Sequence, residues 1–472
     1  MANYERLSPL DRTFLDLEYP ETHMHVAAVA VFDAGPLRTR DGGIDIEKIR
    51  KYVASRLHLI PRYRQRIARI PLENHPVWVD DDRFNLEYHV RHTALPRPGG
   101  DEQLKLLTGR IVSQQLDRGK SLWELWIVEG LDGDRFAMIS KTHHCMIDGV
   151  AAVDLASLLL SPSPDATIPD PQPWQPHSAP SRRELVMEEA RRRLAAPLEF
   201  GKAVLNAVQS PVQAAESVSE QISAVTETLG AGLFPASESP FNRPIGPHRR
   251  FECTAFELAD VKRVKNALGG TVNDVVLATV AGAVGSFLRS RGFSPEQIAQ
   301  LDFRALVPVS LRASSERGTL GNRIASWAAR LPIAQTDPRR RMEAVRAVTA
   351  DLKQSRQAMG AEVLARVSDW TVPTLLSLAM RLAARARAFN LTVTNVPGPQ
   401  LPLYMIGSRM LAAYPLGPLF LNQALNIALL SYDGRLHWGL NGDWDVLPDL
   451  RDLVTAIHAS FDELLQAATN TA

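Results

Sequence analysis

Residues 135–149 read RFAMISKTHHCMIDG. Arg135–Lys141 is an apolar run of strand character, His143 and His144 follow it, and Asp148-Gly149 opens a helix that the apolar residues of Val150–Leu160 continue. Adjacent strand residues point to opposite faces, so only one of the two histidines faces any given cavity. A base in a cleft with a carboxylate and a tight Gly turn nearby is a workable acid–base site.

The same alternation of strand and helix extends outward from this stretch. Upstream, Val26–Phe32 fits a buried strand, and Ile46, Ile49, Val53, Leu57 and Ile60 recur at the spacing of a helix with one core face. Phe84–Val90 alternates as a strand does, Leu104–Leu116 has helical spacing, and Leu122–Val128 reads as a strand. Downstream, Ser161–Arg182 is rich in Pro, Ser and Asp, the chemistry of a linker. Arg183 to about Leu233 has helical periodicity broken at Pro197 and Pro211, and a second linker spans Pro235–Pro247. The alternation then restarts, with strands at Phe251–Phe256, Asp302–Val309, Ala325–Leu331 and Leu391–Thr394. Helices are expected at Asp260–Leu268, Val272–Arg289, Arg339–Gln357 and Asp449–Leu465, and a hairpin turning at Asp433-Gly434. The expected division is therefore 1–182, a helical bridge over 183–247, and 248–472, with two α/β halves on either side of the bridge.

Composition agrees with a large globular protein. The chain has 472 residues, 45% hydrophobic and 22% charged, more than one ordinary core accommodates. Its 53 Lys+Arg balance 52 Asp+Glu, so nothing in the net charge draws it to nucleic acid. Two cysteines, Cys145 and Cys253, exclude a disulfide framework and suit a reducing, cytoplasmic setting. The N-terminal MANYERLSPLDRTFLDLE lacks the apolar segment of a signal peptide. The apolar runs Val275–Leu288 and Val372–Leu382 fall short of the roughly 18–20 residues of a membrane span. The basic run Arg191-Arg192-Arg193 beside Leu194 and Leu198 fits either a bridging helix pair or an amphipathic face touching lipid.

Chemically, a neutral imidazole in a cleft takes a proton from an alcohol as its oxygen attacks a carbonyl, then returns it to the leaving group. Asp148 suits a turn-fixing or arginine-pairing role, and Gly149 permits close backbone approach. Taken alone, the same residues also fit a pair of structural histidines. A zinc site would need three or four ligands, and no further His, Cys or Glu cluster lies nearby in sequence. Cys145 as a nucleophile lacks a thiolate-stabilising pattern around it.

The heptad His143–Gly149 fits H-H-x-x-x-D-G, the signature of the CoA-dependent acyltransferase superfamily that includes chloramphenicol acetyltransferase and peptide-synthetase condensation domains. More closely, the chain resembles the bacterial wax ester synthase/diacylglycerol acyltransferase family nearly end to end. The motifs are Leu7-Ser8-Pro9-Leu10-Asp11, Met24-His25-Val26, Leu122-Trp123-Glu124, the heptad, Thr271-Val272-Asn273-Asp274-Val275, Gly321-Asn322, Asn395-Val396-Pro397-Gly398-Pro399 and Ala424-Leu425-Asn426-Ile427.

The resemblance implies an α/β (α+β) fold of two chloramphenicol-acetyltransferase-like domains around a central tunnel, joined by a helical linker. It implies His144 as general base, with His143 beside it and Asp148 holding local structure. Attack on the thioester would be direct, without an acyl-enzyme. Gly149, Leu122, Trp123, Asn273, Asp274, Asn395, Gln423 and Asn426 would bind substrate or support the site. Of these, Asn273-Asp274 also reads as a helix cap, and Asn395 as a rigid strand end or an oxyanion donor. Two departures stand out: Ser121 where the family has proline, and Asn422 where it has glycine, which would narrow a channel lined by that segment.

The implied partners are acyl-CoA as co-substrate and diacylglycerol or a long-chain fatty alcohol as acceptor, with no cofactor, no metal and no nucleic acid. The implied setting is the cytoplasm, with peripheral contact at the inner membrane face or lipid inclusions. Two other readings stay open: the same scaffold acting on small or carrier-bound acceptors, and a non-catalytic lipid-binding protein.

Overall fold

The computed structural model describes residues 4–71, 74–146, 158–165, 167–191, 235–310, 324–354 and 388–470. Among them are two six-stranded mixed sheets and one small three-stranded sheet. The first large sheet is built on β2 (His25–Asp33), β5 (Val90–Ala94), β6 (Trp123–Leu131) and β7 (Arg135–His143). β7 runs between β2 and β6, antiparallel to both, so the histidine-bearing strand is central and buried on both faces. The small sheet, β1 (Glu5–Arg6), β3 (Gln65–Arg69) and β4 (Pro76–Asp80), lies in the same half.

The second large sheet comprises β8 (Arg249–Glu257), β9 (Arg304–Ser310), β10 (Ile324–Arg330), β11 (Leu391–Pro397), β14 (Leu425–Tyr432) and β15 (Arg435–Asp443), in the order β10-β9-β11-β14-β15-β8. Its core is the helix Val272–Ser290, buried almost throughout from Asp274 to Leu288 and packed against the helices Leu450–Thr469 and Pro338–Gln354. That helix is long and apolar enough, by length and composition alone, to cross a membrane. Its apolar surface is spent instead on this core, where each fully buried Val or Leu contributes about 1.5–3 kcal/mol.

The boundary at residue 248 does not separate the sheets. β12 (Tyr404–Met405) and β13 (Ser408–Leu416) leave the second half and complete the first sheet, β13 pairing antiparallel with β2 from Leu416 opposite Ala27 to Met410 opposite Phe32. This crossover brings the backbones of β13 and β15 into contact. A Cβ on Gly439 would stand 1.9 Å from the Pro415 carbonyl oxygen, so only glycine fits there. On the other side, the helix Asp101–Val112 packs on β8. Gly109 admits the Arg249 carbonyl, Lys105 pairs with Glu252 at 2.7 Å, and Ser113 Oγ accepts the Arg249 amide at 2.8 Å. Phe251 and Leu416 enter an apolar cluster with Val29, Leu104, Ile111 and Ile139, a core shared by both halves.

Three further expectations change. Residues 86–89 form a helical turn capped by Asn85 before β5 begins, because the Asn85 side chain accepts the Glu87 amide and starts a turn where alternation alone suggests strand. The Pro-rich stretch after Ser161 is docked: Trp174 lies under Arg64 at 4.5 Å, and His177 donates through its amide to Asp80 at 3.0 Å. The second linker is largely structural, since Ala236, Ser239, Phe241 and Asn242 are buried and Phe241 belongs to the second core. Of the helical bridge, residues 182–191 are helical, and 192–234 lie outside the described residues. Most of the Val150–Leu160 helix and all of Val372–Leu382 also lie outside them.

Candidate active site

β7 ends at His143, and His144–Met146 form a single 3-10 turn. The two rings meet different surroundings. His143 is fully buried, its amide donating to the Leu122 carbonyl at 3.0 Å. Its Nδ1 accepts the Cys145 amide at 3.1 Å, and its Nε2 faces Glu18 at 3.6 Å. His144 is half-buried, its amide donating to the Met24 carbonyl at 2.8 Å and its ring stacked on Phe14 with centroids 3.9 Å apart. Among the described residues, Nδ1 of His144 is buried without a hydrogen-bond partner.

Burial, with a smaller push from His143, lowers the His144 pKa to about 4, opposed by the ring's own main-chain carbonyl. The ring is therefore neutral near pH 7, the state that accepts a proton. Cys145 is a contrasting neighbour: burial drives its thiol well above the ordinary range, so it stays protonated and packs as a small apolar group. Asp148 and Gly149 lie outside the described residues.

Leu122 and Trp123, both buried, hold this turn from the neighbouring strand. Trp123 Nε1 donates to the Tyr63 carbonyl at 2.8 Å, and the same carbonyl accepts Ser121 Oγ at 3.0 Å. Ser121 thus fixes the backbone by a hydrogen bond to the Tyr63 carbonyl. Trp123 also stacks on His89, whose Nδ1 donates to the Trp123 carbonyl at 2.8 Å.

Asn273 and Asp274 sit at the start of the core helix, but the cap is Thr271. Its hydroxyl accepts the Asp274 amide at 3.2 Å, while Asp274 Oδ2 accepts the Thr271 amide at 2.7 Å and hydroxyl at 2.8 Å. Oδ1 accepts the Thr349 hydroxyl at 2.7 Å, so the Asp274 carboxylate is occupied structurally. Asn273 is the second helical residue rather than the cap, because the threonine three residues before Asp274 completes the reciprocal pair. Asn395 lies in β11, half-buried, opposite Leu429 of β14. Gln423 and Asn426 are buried: Gln423 Nε2 donates to the Phe389 carbonyl at 3.3 Å, and Asn426 Oδ1 accepts the Gly417 amide at 3.2 Å, just beyond β13. Leu122 and Trp123 are thereby brought to the histidine turn, whereas the partners of Asp274, Gln423 and Asn426 lie at the core helices, just before β11 and at the end of β13.

Folding also assembles residues that sequence spacing kept apart. Glu18 and His25 approach His143, supplying polar groups absent from its sequence neighbourhood. Arg118 nevertheless grips the Glu18 carboxylate at 2.9 and 2.6 Å, and no group of His, Cys, Asp or Glu among the described residues is arranged to hold a metal ion. From the second sheet, Arg249 is buried with its guanidinium on the Glu21 and Gly246 carbonyls and 3.7 Å from Asp443. Burial lowers its pKa to about 10, opposed by Asp443. The loop it holds runs directly into Met24, whose carbonyl fixes His144, so the histidine turn stands at the junction of the halves.

Two mixed sheets clasped by an exchanged strand, with a paired-histidine turn where they meet, form a condensation-domain-like fold. The starter condensation domain of rhizomide synthetase shares that fold, with a TM-score of 0.58 at 12% identity over 99% of this chain and 94% of the other. The chain belongs to the wax ester synthase/diacylglycerol acyltransferase family. The family's catalytic domain matches residues 7–276 and its C-terminal domain residues 320–465. The solved wax ester synthase/diacylglycerol acyltransferase from Marinobacter aquaeolei VT8 superposes with a TM-score of 0.71 at 25% identity, covering 98% of this chain and all of the other. A Mycobacterium tuberculosis protein named as a diacylglycerol O-acyltransferase is 34% identical over 475 residues, spanning 99% of this chain and 91% of its own length. A second from that organism is 32% identical over 97% of this chain and 95% of its own length. The protein is an acyltransferase.

Proposed function

We propose that the chain transfers a long-chain acyl group from acyl-CoA, its co-substrate, to the hydroxyl of diacylglycerol, of a long-chain fatty alcohol, or of both. His144 removes the hydroxyl proton as the oxygen attacks the thioester carbonyl. The tetrahedral intermediate then collapses, the C–S bond breaks, and the imidazolium returns the proton to the CoA thiolate. No acyl-enzyme is needed, since a thioester already offers a good leaving group. The observation that carries this reading is the placement of the His144 ring, stacked on Phe14 with its backbone pinned by Met24 at the junction of the halves; burial there lowers its pKa and keeps it able to accept a proton. Acceptor and donor would reach it along a tunnel between the halves, with His143 and the Leu122-Trp123 strand as its support and Asp148 as scaffold.

The proposed setting is cytoplasmic, peripheral to a lipid surface, with no cofactor and no nucleic-acid partner; the exposed Val186 and Met187 on helix 182–191 are consistent with such contact. Asn422 lies in the turn closed between Phe420 and Gln423, and its carbonyl accepts Asn242 Nδ2 at 3.2 Å. The test is purified protein with palmitoyl-CoA and either dioleoylglycerol or hexadecanol, following thiol release and the ester product. Release with neither acceptor, or preference for short acyl donors and small polar acceptors, contradicts the proposal.

A further inference from the structure

Glu18 follows the helix Pro9–Asp16 by two residues, and its side chain is 1% exposed. Arg118 holds it through Nε at 2.9 Å and Nη2 at 2.6 Å, while Nη2 also donates to the Leu15 carbonyl at 2.9 Å. Two imidazoles face the same carboxylate: His25 Nε2 at 3.4 Å and His143 Nε2 at 3.6 Å. Burial alone would raise the Glu18 pKa, but contacts with His143 and His25 more than offset it, and the carboxylate stays ionised.

On the far side of the His143 ring, Nδ1 accepts the Cys145 amide at 3.1 Å. A ring nitrogen that accepts carries no proton, so the proton of a neutral His143 sits on Nε2, the atom facing Glu18. The opposite tautomer, or the imidazolium, would set Nδ1–H against the Cys145 N–H and leave that buried amide without a partner. The peptide groups on both sides of His144 are therefore fixed from outside, one by the Met24 carbonyl and the other by the His143 ring. The helix ending at Asp16 serves the turn twice, through Phe14 against the His144 ring and through Glu18 just beyond its end.

We propose that Glu18, clamped by Arg118, is a positioning residue for acyl transfer: its buried charge, 3.6 Å from His143 Nε2, favours the proton on that atom, leaves Nδ1 to accept the Cys145 amide, and so sets the turn that carries His144. The kinetic part of this proposal rests on His144 being the base; the tautomer part does not.

The test uses full-length protein labelled with 15N-histidine, the His143 resonance being assigned by its loss in His143→Gln. Long-range imidazole spectra at pH 7 should show the Nε2–H tautomer for His143 in the unsubstituted protein. In Glu18→Gln that pattern should be lost, kcat should fall about tenfold or more, and KM for palmitoyl-CoA should stay within about twofold. Glu18→Asp keeps the charge and should keep the tautomer while recovering part of kcat. An Nδ1–H or doubly protonated His143 in the unsubstituted protein overturns the proposal, as does Glu18→Gln with an unchanged kcat. Should Glu18→Gln not fold, the unsubstituted spectrum and Glu18→Asp decide the matter. An inactive unsubstituted protein, or a fully active His144→Ala, defeats the reading of His144 instead, and the spectra still report what Glu18 does to the ring.

Discussion

Replacing Gly439 with alanine tests how the two halves are held together. The new Cβ would lie 1.9 Å from the Pro415 oxygen and 3.0 Å from its carbon, both backbone atoms with no side chain to swing aside. An ordinary carbon–oxygen contact is about 3.3 Å, so β13 and β15 must separate locally by roughly 1.4 Å. Overpacking of this kind costs about 1–3 kcal/mol, and a main-chain obstacle places Gly439→Ala near the upper end. For a large domain each kcal/mol lowers Tm by about 2–4 °C, so the expected loss is about 4–12 °C. β13 is hydrogen-bonded to β2, and β2 places His25 opposite His143, so the displacement should reach the histidine turn. A misplacement near 1 Å costs up to about 100-fold in rate. Gly434→Asn is the comparison, since nothing lies within 4 Å of a Cβ there and the only cost is the backbone strain of a φ of +80°, which asparagine bears better than other side chains. Calorimetry and initial acyl-transfer rates on both variants are the assay. A Gly439→Ala protein with wild-type Tm and rate would refute the claim that the exchanged strand clasps the halves.

Other outcomes follow from the same geometry. With His144 titrating near pH 4, kcat/KM should be flat above about pH 5 and fall as pH drops through 4, because the base must be unprotonated; an acid limb centred at 6.5 contradicts the buried placement. Stability should fall over the window below pH 6.5, because His25 at about 3 and His89, His144 and His437 at about 4 stay neutral when folded and bind protons when unfolded. Stability thus rises with pH between roughly 4 and 6.5, by up to about 1.4 kcal/mol per unit for each ring, and urea titrations at stepped pH measure the slope. Thr271→Ala removes the helix cap and should cost about 1–2 kcal/mol in those titrations while KM for acyl-CoA is unchanged; a large KM effect would mean that this end of the helix binds substrate.

Much of the fold was legible because its signals are local. Alternation and helical spacing mark β2, β6, β7, β14 and β15 and the three long helices among the described residues of the second half, and Asp433-Gly434 marks the β14–β15 hairpin. Residues 404–416 are the counterexample: Met410 and Ala413 belong to the first core, but no local pattern tells a strand that its sheet lies in the other half of the chain. Gly439 is similar, since its need for glycine arises only from the Pro415 backbone crossing it.

At the site, the histidine pair and the Leu122-Trp123 strand were readable from their motifs. Glu18, Arg118, Lys141 and Arg249 were not, because each acquires meaning only from partners far away in sequence. Lys141, fully buried, pairs with Glu124 at 3.1 Å and donates to the Ile111 and Gln114 carbonyls at 3.0 Å, an ion pair that apolar strand character conceals. Asn273 shows the reverse, a motif residue whose sequence suggests a cap that Thr271 provides.

The most direct measurement is acyl transfer by His144→Ala beside Cys145→Ala, with palmitoyl-CoA and dioleoylglycerol or hexadecanol, after circular dichroism shows both folded. Loss of a general base costs about 10²–10⁴-fold, so His144→Ala should lose nearly all thiol release while Cys145→Ala keeps most of it. Full activity in His144→Ala, or selective loss in Cys145→Ala, would contradict the assignment of His144 as the base.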